Sequence, residues 1–204
     1  MRSRSRRTGH RRESGPSLRE GHEASRRTPV FTRSCRSLCH ALIETERLTL
    51  RPLSEDDFDA WTDFLGDAEA TRTLHTPEPI RDPERVLAGL RRWVAMADGA
   101  VGMYALVDRA TGETVGFVGF VPRELDWGNE IELGWLVRRA FWGRGYATEA
   151  ARALRPLVPG RVISMIRVDN EASANVARKL AMSLEREVDY YGFRTNVCVS
   201  LAAD

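Results

Sequence analysis

Gly143 and Gly145 are the residues of this chain most able to do chemistry. They sit in the stretch Phe141-Trp142-Gly143-Arg144-Gly145-Tyr146-Ala147-Thr148-Glu149-Ala150. An apolar run, residues 131–137, precedes them, and a helical pattern follows. A strand that opens through a glycine-rich turn into a helix leaves several backbone N–H groups unpaired and pointing one way. With the positive end of the helix dipole, those donors make a site for a phosphate or pyrophosphate. Glycine lets the backbone approach an anion with no Cβ in the way, and Arg144 adds positive charge. The lysine and hydroxyl residue of a P-loop are absent, as is the GxGxxG spacing of a dinucleotide turn, so neither alternative fits. A tight turn of purely structural purpose is the competing reading.

The neighbouring residues narrow the chemistry. Glu132-Leu133-Gly134-Trp135 before the turn, Gly145 to Ala150 within it and Asp169-Asn170-Glu171-Ala172-Ser173 downstream resemble the GNAT superfamily of acyl-CoA-dependent N-acetyltransferases. Within it they look most like the branch that includes the Rim-type ribosomal-protein N-terminal acetyltransferases. The resemblance runs from about Ile43 to about Leu201 and includes an opening of the right kind, Ile43-Glu44-Thr45-Glu46-Arg47-Leu48-Thr49-Leu50-Arg51-Pro52-Leu53. It implies direct transfer of an acetyl group from acetyl-CoA to a primary amine, a protein N-terminus or a small molecule, without a metal. It places the pantetheine arm against the backbone of Leu136, Val137 and Arg138. The pyrophosphate then rests on the amides of Trp142, Gly143, Arg144, Gly145, Tyr146, Ala147 and Thr148, and Asn170 bonds the pantetheine. Two departures stand out. Trp142 holds a place where the family often has Gln or Arg, although Trp is familiar there in the resembling branch. The family's tyrosine acid aligns with Ala177 and is missing, which makes Ser173 the stand-in.

Acetyl transfer needs an ammonium that loses a proton, a polarised thioester carbonyl and a stabilised or protonated thiolate. Glu132, shortly before the turn, is the candidate base, taking the proton through water. Its plain alternative is an ordinary outward-facing strand residue, and Glu130 shares its face by the period-two rule. Ser173 can donate to the sulfur or simply cap a helix. Tyr190 and Tyr191 fall in the last hairpin, where the resemblance puts the acceptor mouth. A catalytically idle acyl-CoA-binding or sensing module is the alternative function, favoured by the missing tyrosine. A nucleic-acid-associated protein built on the basic N-terminal segment is a third.

Positioning these residues requires alternating strands and helices, and the pattern supplies them. A strand over 47–53 leads into a helix that starts at Ser54 with Asp57 and carries Phe58, Trp61, Phe64 and Leu65 on one face. Asp82-Pro83 starts another, with Val86, Leu87, Leu90, Trp93 and Val94 at helical spacing. Residues 103–107 and 114–121 form a hairpin, followed by the 131–137 strand, a helix over 146–157 and a strand over 162–166. A helix over 172–180 and a hairpin around Tyr190 to Phe193 complete the order. That is a mixed α/β (α+β) three-layer sandwich, and the resemblance adds a sheet splayed at its centre, here between the strands on either side of the 146–157 helix.

Composition agrees with one enzyme domain, residues 41–204, preceded by a tail. The chain has 204 residues, 42% hydrophobic and 29% charged, ordinary for a globular protein. Its formal charge of +2 hides an asymmetry: residues 1–40 hold 11 arginines and three glutamates, a net +8 that leaves −6 for the rest. An acidic body suits a cationic amine better than a nucleic acid, apart from a role for the basic tail. That tail is rich in Arg, Ser, Gly and Pro, and disorder is its expected state. Lys179 is the only lysine. Three cysteines make no framework: Cys35, Cys39 and His40 lack a second ligand pair for a metal, and Cys198 reads as packing, all fitting a reducing cytoplasm. No apolar stretch reaches the roughly 18 residues of a membrane span. The pattern fits a monomer or a homodimer. Removing residues 1–40 is expected to leave acetyl-CoA affinity unchanged by calorimetry and to shift Tm by less than about 4 °C.

Overall fold

A computed structural model describes residues 42–98 and 101–201. The tail and its Cys35, Cys39 and His40 lie outside the described residues.

Among the described residues eight strands form one sheet: β1 (Ile43–Glu44), β2 (Leu48–Pro52), β3 (Gly102–Asp108), β4 (Thr114–Leu125), β5 (Gly128–Val137), β6 (Arg161–Arg167), β7 (Ser183–Tyr190) and β8 (Phe193–Leu201). Their order is β1-β2-β3-β4-β5-β6-β8-β7. Every neighbouring pair is antiparallel except β5 and β6, which are parallel and in register only at Glu132 and Ile163. Beyond that rung the two strands part. Among the described residues five helices cover the sheet: α1 (Phe58–Gly66), α2 (Ala68–Thr71), α3 (Pro83–Ala95), α4 (Tyr146–Leu154) and α5 (Glu171–Lys179).

Each face is sealed by an apolar stripe. Trp61 and Phe64 of α1 and Val86 and Leu90 of α3 pack on Met103, Ala105, Phe117 and Val121, with the Trp61 and Phe117 rings edge-on at 4.6 Å. On the opposite face, Tyr146, Ala150, Ala151 and Leu154 of α4 cover Leu48, Leu106, Val118, Phe120 and Leu133. Ala177 of α5 closes over Ile166, Met182 and Cys198. The outcome is the expected three-layer α/β sandwich. No helix among the described residues is long and apolar enough to cross a membrane.

The differences from the sequence pattern have physical causes. The helix expected over 146–157 stops at Leu154 and finishes as a 3-10 turn, Arg155–Leu157, because Pro156 has no N–H to continue the ladder. Strand β4 runs four residues past the expected end and stays paired with β5 through Pro122. The short α2, capped by Asp67 accepting from the amides of Glu69 and Ala70 at 2.9 and 3.2 Å, has too little periodicity to be seen. Tyr191 and Gly192, both at positive φ, make the last hairpin turn.

Asp57 anchors the first helical layer. Its buried carboxylate takes two bonds from Arg51 at 2.6 and 2.8 Å and one from the Ser54 amide at 3.0 Å. Asp57→Ala leaves a partly buried guanidinium unpaired, so a loss of about 3 kcal/mol is expected in denaturant unfolding.

Candidate active site

The glycine turn is held from several directions. Gly143 and Gly145 adopt φ of 75° and 82°, a left-handed conformation in which a side chain is strained. Gly145 is the N-cap of α4. The amides of Tyr146, Ala147 and Thr148 are the first of the helix, so none has a partner within it. Those of Gly143, Arg144 and Gly145 have none among the described residues.

Remote residues fix this cradle. Glu149 accepts from the Thr45 hydroxyl at 2.6 Å, the Arg47 amide at 2.9 Å and Arg47 Nε at 2.8 Å. The same Arg47 donates to the carbonyl of Arg144 at 2.8 Å and lies over the Tyr146 ring at 4.8 Å. Burial pushes the Glu149 carboxyl up, but the donors from Thr45 and Arg47 outweigh it and hold the group below its ordinary 4.5. This anchor is therefore intact above that value and weakens as pH falls below it. Tyr146 donates to Asp108, which also accepts from the amides of Ala110 and Thr111. That bond raises the tyrosine's pKa and lowers the aspartate's.

A cleft of about 720 Å³ opens beside the turn, within the usual range for a small-molecule site. Leu136, Val137, Trp142, Gly143, Gly145, Tyr146, Ala147, Thr148, Asn170 and Ser173 line it, so the structure brings most of the expected residues together. Arg138, Arg144 and Glu132 do not line it. Arg138 turns its side chain to Asp63, Glu113 and the carbonyl of Thr114, and spends its amide on Val115. Arg144 folds back onto the carbonyl of Ala140 and the Phe141 ring, so its charge is not held toward the cleft.

Alternation along β5 decides which backbone groups face the gap. The Leu133 carbonyl points toward β6, where the buried Ser164 hydroxyl donates to it at 2.7 Å. Backbone groups of Trp135 and Val137 share that edge, whereas Leu136 and Arg138 turn theirs to β4. The Val137 carbonyl accepts from the Trp142 indole at 2.7 Å. Trp135 is thus the residue whose N–H and C=O face the cleft, one position before the expected stretch.

Asn170 caps α5 by accepting from the Ser173 amide at 3.0 Å. Ser173 Oγ accepts from the Trp135 indole at 3.2 Å, which leaves its own proton to donate elsewhere. The two glutamates of β5 differ. Glu130 is surrounded by Arg161 and the Trp127 indole, while Glu132 meets one guanidinium, that of Arg123, at 2.5 Å. Among the described residues no His/Cys/Asp/Glu group could hold a metal ion.

Residues 47–183 match the acetyltransferase (GNAT) domain model. This chain belongs to the GNAT acetyltransferase family. Relatives agree with the assignment. N-acetyltransferase p20 of Bacillus licheniformis is 26% identical over 147 residues, 69% of this chain and 82% of that protein. YkkB of Bacillus subtilis is 33% identical over 93 residues, 43% of this chain but only 54% of its own length. Among solved structures, an acetyltransferase from Agrobacterium tumefaciens shares 30% identity with a TM-score of 0.63, covering 79% of this chain and 95% of that one. RimL, a ribosomal alpha-N-protein acetyltransferase solved with coenzyme A, shares the fold at 21% identity and a TM-score of 0.66, covering 79% and 98%.

Trp135, Arg47 and Glu149 were not singled out as site residues by sequence. Gly145→Glu places a carboxylate in the anion cradle and strains the backbone at a φ of 82°. Loss of measurable acetyl-CoA binding by calorimetry, with the circular dichroism spectrum of the parent, is the expected result.

Proposed function

We propose that the protein is a cytoplasmic acetyl-CoA-dependent N-acetyltransferase acting on a primary amine. The observation that carries this reading is the row of unpaired amides from Gly143 to Thr148, facing a cleft whose other wall is the free edge of β5. A pyrophosphate suits the first and the amides of pantetheine suit the second. RimL was solved with coenzyme A in a fold of this kind, which supports the same co-substrate here. Within that class the Rim-type reading, acetylation of a protein N-terminus, is our preferred refinement. A Salmonella typhimurium acetyltransferase of the same fold modifies the N-terminal serine of a ribosomal protein.

Glu132 takes the proton of the incoming ammonium through water, and its nitrogen attacks the thioester carbonyl. The C–S bond breaks as the tetrahedral adduct collapses. Ser173 gives its proton to the departing thiolate, and the second N–H proton of the adduct leaves through solvent to restore the hydroxyl. The indole of Trp135 favours this role, because it occupies an acceptor lone pair of Ser173 and leaves the O–H free.

Thiol release from acetyl-CoA over a panel of free-N-terminus peptides and small amines tests the reaction. Binding with no release on any amine would instead favour an idle acyl-CoA module. Glu132→Gln is expected to lower kcat by about 10²–10⁴-fold, with the apparent constant for acetyl-CoA unchanged. Ser173→Ala is expected to cost at least about tenfold in kcat; a smaller loss would mean that the residue only braces the Trp135 indole.

A further inference from the structure

The face of the sheet that carries Glu132 holds a second set of groups that the anion cradle and Ser173 do not use. Glu132, Gly134 and Leu136 share one face of β5 by alternation, and Leu136 packs with the α1 and α3 layer. Gly134 looks onto open space: a Cβ built there would meet nothing within 4 Å. On β6 and β8 the side that carries Ile163, Met165, Val197 and Val199 packs against Tyr190, and Arg167 and Thr195 share it.

His75, in the connection between α2 and α3, joins this face. Arg167 fixes that connection by donating to the carbonyls of Arg72 and Leu74 at 3.2 and 3.0 Å, while it pairs with Asp169 and lies over the Phe193 ring at 3.9 Å. The imidazole stands edge-on to Tyr190 at 4.9 Å and to Phe193 at 6.4 Å. Its Nε2 lies 2.9 Å from the hydroxyl of the fully buried Thr195. That hydroxyl has one proton, and the Phe193 carbonyl accepts it at 3.0 Å. With the Thr195 proton given to Phe193, Nε2 is the donor and the lone pair falls on Nδ1. Nδ1 has no partner among the described residues. A half-buried imidazole in this tautomer, with its acceptor free and an aromatic ring beside it, suits a cation that carries N–H donors.

We propose that His75 binds the acceptor: its Nδ1 lone pair takes a hydrogen bond from a primary ammonium held beside the Tyr190 ring and facing Glu132. The proposal rests on the acetyltransferase reading and extends it to the amine site. An ammonium has three donors. One goes to His75, and the others are free for water and the Glu132 carboxylate, while the ring adds cation–π attraction. Pairing with Arg123 keeps Glu132 in place without using all of its lone pairs.

The site has a definite pH signature. Burial, then Arg167 and Arg123, hold His75 below its ordinary 6.5, against an opposing pull from Asp169. The groups acting on the ring are Arg123 from β4, which pairs with Glu132 of β5, Arg167 at the end of β6, Asp169 just after it, and Tyr190 from β7. The arginines stay charged, Asp169 is held below its usual range by Arg167, and burial raises Tyr190. The neutral ring is the binding form, so affinity is full above 6.5 and falls as pH drops and the ring becomes a cation.

The test uses full-length protein saturated with coenzyme A, with butylamine and a free-N-terminus tetrapeptide as probes. Butylamine stays ammonium throughout and the peptide, whose α-amino group titrates at about 7.7–8.0, does so below about pH 6.5, so a change in affinity there belongs to the protein. In ¹⁵N spectra His75 is expected as the Nε2–H tautomer, with the Nδ1 resonance moving on addition of either probe. His75→Ala is expected to weaken the amine at least about tenfold and leave acetyl-CoA affinity unchanged. His75→Gln, which keeps an acceptor that does not titrate, should recover part of the affinity and lose the acid limb. A merely structural histidine would move neither the pH profile nor the split between the two ligands. An Nδ1 signal unmoved by both probes, or parent affinity and pH profile in His75→Ala, overturns the proposal. Thiol release by the parent separates the two readings. A silent parent whose His75 responds to amine sinks the reaction and keeps the site; an active parent with an unchanged His75→Ala does the reverse.

Discussion

A single parallel rung governs this molecule. Strand β5 is paired along its whole length with β4 but meets β6 only at Glu132 and Ile163. Past that point an unmatched strand edge would normally be a liability, because buried backbone groups need partners. Here the separation is managed locally. The Ser164 hydroxyl takes the Leu133 carbonyl, and the Trp142 indole takes that of Val137. Between them Trp135 is left, its side chain packed against both the α4 and α5 clusters. The same indole bonds Ser173, so the residue whose backbone faces the gap also holds the candidate proton donor.

The cradle at the mouth of the gap depends on chain segments far away in sequence. Thr45 and Arg47 reach it from the first strands, Asp108 from the β3–β4 hairpin, and Asp63 and Asp67 of the α1 and α2 region hold Arg138 and Arg139. A turn fixed this way is ordered when the protein folds, so an incoming anion meets donors already aimed. Exposed ion pairs of this kind contribute little individually to stability. Their effect is on geometry.

Much of this was legible in the chain. The strand–turn–helix grammar around Gly143 and Gly145, and the apolar stripes of α1, α3 and α4, follow from local periodicity and conformational preference. Ser173 reads as a possible helix cap, yet it lies inside α5 and Asn170 holds that place. What could not be read depends on pairing across the sheet. Which backbone groups of β5 face the gap is a matter of register, and an offset of one residue separates Leu136 and Arg138 from Trp135. Arg144 reads as a charge for the anion, yet its guanidinium finds the Ala140 carbonyl first. Glu130 and Glu132 look equivalent by alternation, and only the arginines opposite them, Arg161 and Arg123, tell them apart. His75 sits in a proline-flanked connection with no periodicity, so nothing local ties it to Thr195, 120 residues away.

Lys179, the chain's one lysine, ends α5 and lines the cleft. A protein that uses arginine almost everywhere else thus offers a single side-chain amine to acylating reagents, located where the cleft's ligand would lie. Brief treatment with an amine-directed mass tag would mark that position and the chain's own N-terminus alone. The mass increment at Lys179 becomes a built-in gauge of whether the cleft is filled, read without any engineered label.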